Sequence, residues 1–153
     1  MRAEFSTSRA EDFTSGKFHE IIPDRVTGIA DPRRNAIERV ILCSGKVYFD
    51  LITHREKEKI ANSAIIRIEQ LYPLDEQQLR AAVRAFPKEA RLVWCQEESQ
   101  NMGAWSFIEP RLRAMFGREV GYAGRNASAS PAVGALALHK REQASLIAEA
   151  FSV

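Results

Sequence analysis

Short apolar runs alternate with longer amphipathic stretches over most of the chain. The runs lie at residues 40–43 (VILC), 64–68 (AIIRI), 92–95 (LVWC) and 119–123 (EVGYA). Their length and their β-branched residues predict four strands. Between the runs, apolar residues recur three and four positions apart, which predicts helices packed on a sheet.

One helix is predicted after each strand. The first has Val47, Tyr48, Leu51 and Ile52 on one face. The other three are expected over residues 75–86, 104–116 and 131–151. Pro110 is expected to kink the third helix or to divide it in two. Pro131 suits the first turn of the fourth helix, with Ser130 as its N-cap.

This order of elements predicts the fold class. Strands that alternate with helices imply right-handed crossovers and a mainly parallel sheet with helices on both faces. We therefore expect a three-layer α/β/α domain with a sheet of four or five strands, spanning residues 37–153. Residues 1–36 are predicted to form an irregular lead-in or linker, in which the apolar patch at 18–22 could add an antiparallel edge strand.

Composition narrows the class of protein. The chain has 153 residues, about the size of one domain, and its net charge of +2 argues for neither a nucleic-acid nor a membrane partner. Neither a secretory signal nor a membrane-spanning run is recognised in the sequence. Cys43 and Cys95 lie inside apolar runs, which favours reduced, buried thiols. We expect a soluble intracellular protein.

The turns after the strands are the first candidates for chemistry, because ligands bind beyond the carboxyl ends of parallel strands. Ser44-Gly45-Lys46 opens the first helix, where backbone N–H groups and a Lys could bind an anion such as phosphate. The full phosphate-loop pattern is absent, since Val47 follows Lys46. The alternative is that Ser44 caps the helix and Gly45 permits a tight turn.

The turn before the last helix is a second candidate. Arg125, followed by Ser128 and Ser130, could hold a phosphate or a carboxylate. The alternative is an ordinary capped loop held by an Arg salt bridge. Together, Ser44, Lys46, Arg125, Ser128 and Ser130 form the candidate anion or effector site.

Glu97 and Glu98 follow the third strand as adjacent carboxylates. Adjacent acids on an extended chain point in opposite directions, and no His lies at metal-ligand spacing. We expect one Glu to accept N–H groups at the next helix start and the other to pair with an Arg at a subunit contact. The histidines are interpreted as solvated surface residues, so no catalytic, cofactor-binding or metal-binding residue is expected.

Four strings carry a family resemblance. They are CSGKVYFDL (43–51), IIRIEQLYPL (65–74), VWCQEESQNMGAW (93–105) and YAGRNASASPAVG (122–134). Together they resemble the carboxyl-terminal domain of the 2-oxoglutarate dehydrogenase decarboxylating component, a family similar to transketolases.

The resemblance implies a division of labour. In such enzymes thiamine diphosphate and Mg²⁺ lie between amino-terminal domains of a homodimer, and the third domain adds to the dimer contact. The complete enzyme decarboxylates 2-oxoglutarate in the tricarboxylic acid cycle and transfers succinyl to the lipoyl arm of a succinyltransferase core, in the cytoplasm or the mitochondrial matrix. This chain alone would hold no cofactor and be inactive. Its candidate interface residues are Glu97, Glu98, Met102 and Trp105.

Two alternatives remain at this point. One is a stand-alone regulatory module for a nucleotide or acetyl-CoA. Relatives with such an effector use a Thr or Ser after the first strand, a helix Arg and paired Arg residues in the last loop. The matching places here hold Cys43 and Ser44, then His54, and Arg125 followed by Asn126. The other alternative is a 2-oxoadipate dehydrogenase paralogue.

Overall fold

The computed structural model describes residues 14, 16–24 and 31–152. Within them the elements are β1 (Ile21–Ile22), β2 (Arg39–Cys43), α1 (Val47–Lys57), β3 (Ser63–Ile68), α2 (Glu76–Arg84), β4 (Arg91–Ser99), α3 (Trp105–Phe116), β5 (Val120–Arg125) and α4 (Leu136–Ala150). A short 3₁₀ helix, Pro32–Ala36, precedes β2. No helix in this part of the chain is long and apolar enough to cross a membrane.

The strands form one sheet in the order β1-β3-β2-β4-β5. The pairs β2–β3, β2–β4 and β4–β5 are parallel, whereas β1 runs antiparallel to β3 and pairs Ile21 with Ile68. The predicted α/β class, with a mainly parallel sheet and an antiparallel edge strand, is confirmed.

Each face of the sheet has its own core. Successive strand residues point to opposite faces, so Leu42 and Trp94 pack with α2 and α3, whereas Cys43 and Cys95 pack with α1 and α4. Burial on both sides explains why the strands are continuously apolar instead of alternating with polar residues. The predicted inner face of α1 is also confirmed, because Val47 and Leu51 are buried in the second core.

The order of strands creates a switch point between β2 and β4. The chain leaves β2 through α1 towards β3 on one side, and it leaves β4 through α3 towards β5 on the other side. Two adjacent parallel strands whose connections depart in opposite directions leave a crevice beyond their carboxyl ends. This crevice positions the candidate site.

Part of the predicted lead-in packs on the sheet. Asp24 is 2% exposed, and its Oδ2 accepts the Ile65 N–H at 2.7 Å and a guanidinium N–H of Arg55 at 2.5 Å. The Glu20 carbonyl accepts the Glu69 N–H at 2.8 Å. With β1, these contacts cover an edge of the sheet that would otherwise present unpaired backbone groups. The boundary at residue 36 stays a prediction.

The helix that contains Pro110 is undivided, and the last helix starts later than expected. α3 continues as one helix through Pro110 and is not divided there. α4 begins at Leu136, so the expected start at residue 131 with Ser130 as N-cap is wrong. The Ser130 hydroxyl instead donates to the Ala132 carbonyl at 2.8 Å. Gly134 precedes the observed start and disfavours an earlier first turn.

Candidate functional site

A crevice of about 460 Å³ opens at the switch point. Its walls come from the turn after β2 (44–46), the end of β4 (96–98), the loop before α2 (Leu71 and Tyr72) and the start of α3 (Ala104 and Phe107). Trp94 forms part of its inner wall. The site is therefore built where the topology places it, with aromatic and aliphatic surface inside and charged groups at its mouth.

Gln96 organises the backbone around the crevice. This side chain is 3% exposed, and its Oε1 accepts the Trp94 indole N–H at 2.9 Å and the Trp105 backbone N–H at 3.0 Å. Its Nε2 donates to the carbonyls of Ser99 at 3.1 Å and Met102 at 2.8 Å. The expectation that a Glu accepts N–H groups at this helix start is wrong, because Gln96 performs that role.

β4 is longer than expected and includes both carboxylates. Glu97 and Glu98 lie in the strand, which runs to Ser99, and the turn follows at residues 100–103. Glu98 is exposed, and its carboxylate makes no ion pair or hydrogen bond with any residue of the described ranges. Glu97 is half-buried and bonded, so the two acids are not equivalent.

Lys46 is committed to carboxylates. Its Nζ lies 3.0 Å from Asp50 Oδ2 and 3.1 Å from Glu97 Oε1, and Gln143 on α4 donates to both acids at 2.9 and 2.8 Å. Partial burial lowers the Lys46 pKa, but the hydrogen bonds to Asp50 and Glu97 outweigh it and the pKa is raised. The Lys46 ammonium therefore stays charged and remains paired with the two carboxylates.

The turn after β2 is interpreted from the sequence either as an anion-binding turn or as a tight turn capped by Ser44, and the structure agrees with only part of each interpretation. Gly45 takes a left-handed φ of +72°, as the expected tight turn requires. Ser44 does not cap α1; the N-cap position belongs to Lys46, which makes no side-chain capping bond. The start of α1 is thus open but lies beside the carboxylates of Asp50 and Glu97.

Arg125 borders a second cavity of about 740 Å³, between the end of β5 and α4. Its side chain is 12% exposed; its Nε lies 3.2 Å from Glu142 Oε2, and its Nη2 lies 2.7 Å from His139 Nδ1. Ser128 and Ser130 line the outer part of this cavity. The expected Arg salt bridge is present, formed with a residue of α4.

The five candidate anion-site residues do not converge. Ser44 and Lys46 line the crevice, whereas Arg125, Ser128 and Ser130 line the second cavity. Both cations already face carboxylates. The geometry forms two separate ion networks, one around Lys46 and one around Arg125, rather than one anion cradle.

The candidate interface residues also differ in role. Trp105 is half-buried and packs against the core under α3, and its ring centroid lies 4.9 Å from that of Tyr122, with the two rings tilted by 58°. Met102 is half-buried, and its carbonyl is bonded to Gln96. Of the four residues, Glu98 is the one whose side chain is exposed. Sequence reasoning missed Gln96 and Tyr72, although a Gln between a buried strand and two acids was the available signal.

The histidines are not all solvated. His19 is exposed, but the His54 ring lies 5.2 Å from the Phe151 ring and His139 contacts Arg125. His54 and His139 are half-buried and contact neighbouring side chains, so neither is fully solvated. His54, on α1, lies beside Phe151 at the end of α4. His139, near the start of α4, lies beside Arg125 at the end of β5.

The described residues do not fit a cofactor site. Cys43 and Cys95 are buried free thiols, and burial raises the Cys95 pKa to about 12 and the Cys43 pKa well above its usual value. No group of three or more His, Cys, Asp and Glu side chains in the described ranges could hold a metal. With Lys46 and Arg125 paired, these residues do not suit thiamine diphosphate with Mg²⁺.

Sequence comparison places this geometry in a family. Residues 7–151 match the family described as 2-oxoglutarate dehydrogenase C-terminal. The E1 component of 2-oxoglutarate dehydrogenase from Cupriavidus necator is 40% identical over 99% of this chain, and that from Azotobacter vinelandii is 39% identical over all of it. The mitochondrial 2-oxoglutarate dehydrogenase of Caenorhabditis briggsae is 37% identical.

The match covers a small part of each relative. The chain spans 16% of the length of the two bacterial relatives and 15% of the nematode one. A solved structure described as a split-gene transketolase, inactive beta4 tetramer, aligns with 75% of this chain and 38% of its own, with a TM-score of 0.53 and 18% identity. That likeness supports the fold. The chain belongs to the family of 2-oxoglutarate dehydrogenase carboxyl-terminal domains.

Proposed function

We propose that this chain forms the carboxyl-terminal assembly domain of a homodimeric, thiamine diphosphate-dependent enzyme that decarboxylates 2-oxoglutarate. One observation carries the proposal: 99% of the chain matches 16% of a 2-oxoglutarate dehydrogenase component. The whole chain therefore corresponds to one domain of a much longer polypeptide. The rest of that polypeptide, which we term the catalytic region, would hold the cofactor, Mg²⁺ and the 2-oxo acid.

The chemistry of the described residues supports a non-catalytic role. The buried thiols keep raised pKa values and would remain protonated. The cations at both cavities are neutralised by carboxylates. We propose that the domain carries no catalytic group, stabilises the dimer and supports assembly with the succinyltransferase core, in the cytoplasm or the mitochondrial matrix.

The regulatory-module alternative has weaker support. An effector with a phosphate or a CoA group would bind most strongly where unpaired cations face one cavity. Here Lys46 and Arg125 lie at separate cavities and each is paired. No observation favours 2-oxoadipate over 2-oxoglutarate. The assembly role is therefore the single function that we propose.

Domain exchange tests this function. In the exchange enzyme, the matched carboxyl-terminal segment of the Cupriavidus necator relative is replaced by this chain. In the shortened relative, that segment is deleted. We expect the exchange enzyme to decarboxylate 2-oxoglutarate and the shortened relative to lose that activity, because the domain supports the dimer that holds the active site.

The chain alone serves as the control for catalysis. It is assayed with 2-oxoglutarate, thiamine diphosphate and Mg²⁺, and we expect no turnover. Activity of the isolated chain would contradict its assignment as a non-catalytic domain. An exchange enzyme that folds but is as inactive as the shortened relative would contradict the assembly role.

A further inference from the structure

We infer that the crevice is a docking socket for a basic, apolar segment of the catalytic region. The inference rests on the proposed function and adds to it the location and chemistry of the contact. Its occupant is a stretch of protein that presents an aliphatic or aromatic side chain next to an Arg or Lys.

The shape of the crevice suits a protruding side chain. It lies at the switch point of the sheet, where α/β domains bind their ligands, and its volume of about 460 Å³ exceeds what one side chain fills. Trp94 and Phe107 supply an apolar wall. The volume therefore accommodates an inserted side chain with part of its backbone.

Tyr72 marks the mouth of the crevice as a contact surface. Its side chain is 82% exposed, the largest exposed fraction among the large hydrophobic residues of the described ranges. Tyrosine is enriched at protein interfaces, because its ring buries a large area and its hydroxyl can still bond. An aromatic ring that projects from the rim of an apolar crevice points to a protein partner rather than to solvent.

The charge at the mouth selects a basic partner. The charged side chains that line the crevice are one ammonium, Lys46, and two carboxylates, Glu97 and Glu98. Lys46 is bonded to Glu97 at 3.1 Å and also to Asp50, so Glu98 is left to face a partner. A guanidinium or ammonium beside the inserted side chain would pair with Glu98.

The same charge argues against a second copy of this chain at the crevice. In a two-fold contact whose axis passes through the crevice, Glu97 and Glu98 of one copy would face the same residues of the other. Like charges in such a contact are unfavourable. The catalytic region, which accounts for most of the length of the relatives, is therefore the occupant of the crevice in this inference.

Calorimetry with the 153-residue chain and the purified shortened relative tests the socket. The variants are Tyr72→Ala and Glu98→Lys, with Leu136→Ala and Glu119→Lys as controls. Leu136 is also highly exposed, at 69%, but lies at the start of α4, and Glu119 is an exposed acid next to the amino end of β5. Circular dichroism establishes that every variant is folded.

We expect both socket variants to weaken binding at least about tenfold and both controls to change it less than about twofold. Raising the salt from about 50 to about 300 mM should weaken wild-type binding more than that of Glu98→Lys. The conservative variants Tyr72→Phe and Glu98→Asp should bind within about threefold of wild type.

The other outcomes contradict the socket, and each can be told apart from a failure of the proposed function. If wild type and all variants bind equally, the contact lies elsewhere and the assembly role stands. If sedimentation shows that Tyr72→Ala dissociates a homodimer of the chain, the occupant is a second copy and the inference is wrong. If nothing binds, the socket is wrong, and the activity of the exchange enzyme decides the proposed function independently.

Discussion

Gln96 shows how one buried polar side chain can shape a site. It makes five hydrogen bonds, to an indole N–H, a backbone N–H and three carbonyls. These bonds fix the turn after β4 and the start of α3, so they also position the wall of the crevice. Every polar atom of the amide is used, as a buried side chain requires.

Replacing this residue should therefore be costly. Gln96→Ala leaves the N–H groups of Trp94 and Trp105 without their acceptor, and we expect a loss of about 2–4 kcal/mol in the free energy of unfolding. Urea denaturation measures it. Gln100→Ala, at an exposed position of the following turn, is the matched control and should change stability by less than about 0.5 kcal/mol. A Gln96 variant as stable as the control would refute this role.

The buried thiols make stability depend on alkaline pH. Burial raises the Cys95 pKa from 9.0 to about 12, so the folded state holds this proton more tightly than the unfolded state. The stabilisation is complete below about pH 9 and is lost as pH rises towards about 12. At about pH 10.5 we expect Cys95 to account for a loss of about 2 kcal/mol in unfolding free energy.

Cys95→Ala isolates that contribution. Urea denaturation at several pH values should show a shallower decline above pH 9 in the variant, whatever its stability at neutral pH. Cys43 remains in both proteins and adds the same trend to each. Parallel curves for the variant and wild type would show that Cys95 does not carry the effect.

At the scale of elements, β1 ties residues ahead of the 3₁₀ helix to the sheet. Asp24 joins α1 and β3 through Arg55 and the Ile65 N–H. Asp24→Ala leaves Arg55 without this buried partner, and we expect a loss of about 3 kcal/mol in unfolding free energy. Glu58→Ala removes an exposed pair with Lys57 and should leave stability unchanged within error. Equal stability of the two variants would show that the edge strand is not held by Asp24.

The strands were predictable because burial on both faces leaves continuous apolar runs. Their ends were not. β4 continues through the polar residues Gln96–Ser99, since pairing with β5 and the bonds of Gln96 replace apolar burial there. The start of α4 was misplaced because Pro131 also suits a turn, and local propensity does not decide between the two.

At the scale of the whole molecule, four separated strings were enough to predict the family, and the match over residues 7–151 confirms it. The candidate anion site was not predictable in the same way. Which side chains share a cavity depends on where the strand ends lie in space, and Lys46 and Arg125 lie at different cavities. Each also pairs with a carboxylate from another element of the fold, namely Glu97 for Lys46 and Glu142 for Arg125.

Analytical ultracentrifugation of the exchange enzyme against the shortened relative tests the central claim, that this domain supports assembly. We expect the exchange enzyme to sediment as a homodimer down to concentrations at least about tenfold lower than the shortened relative. The dimer should persist without cofactor, because the contact proposed for this domain does not involve the cofactor. Identical dissociation of the two proteins over the whole concentration range would contradict the assembly role.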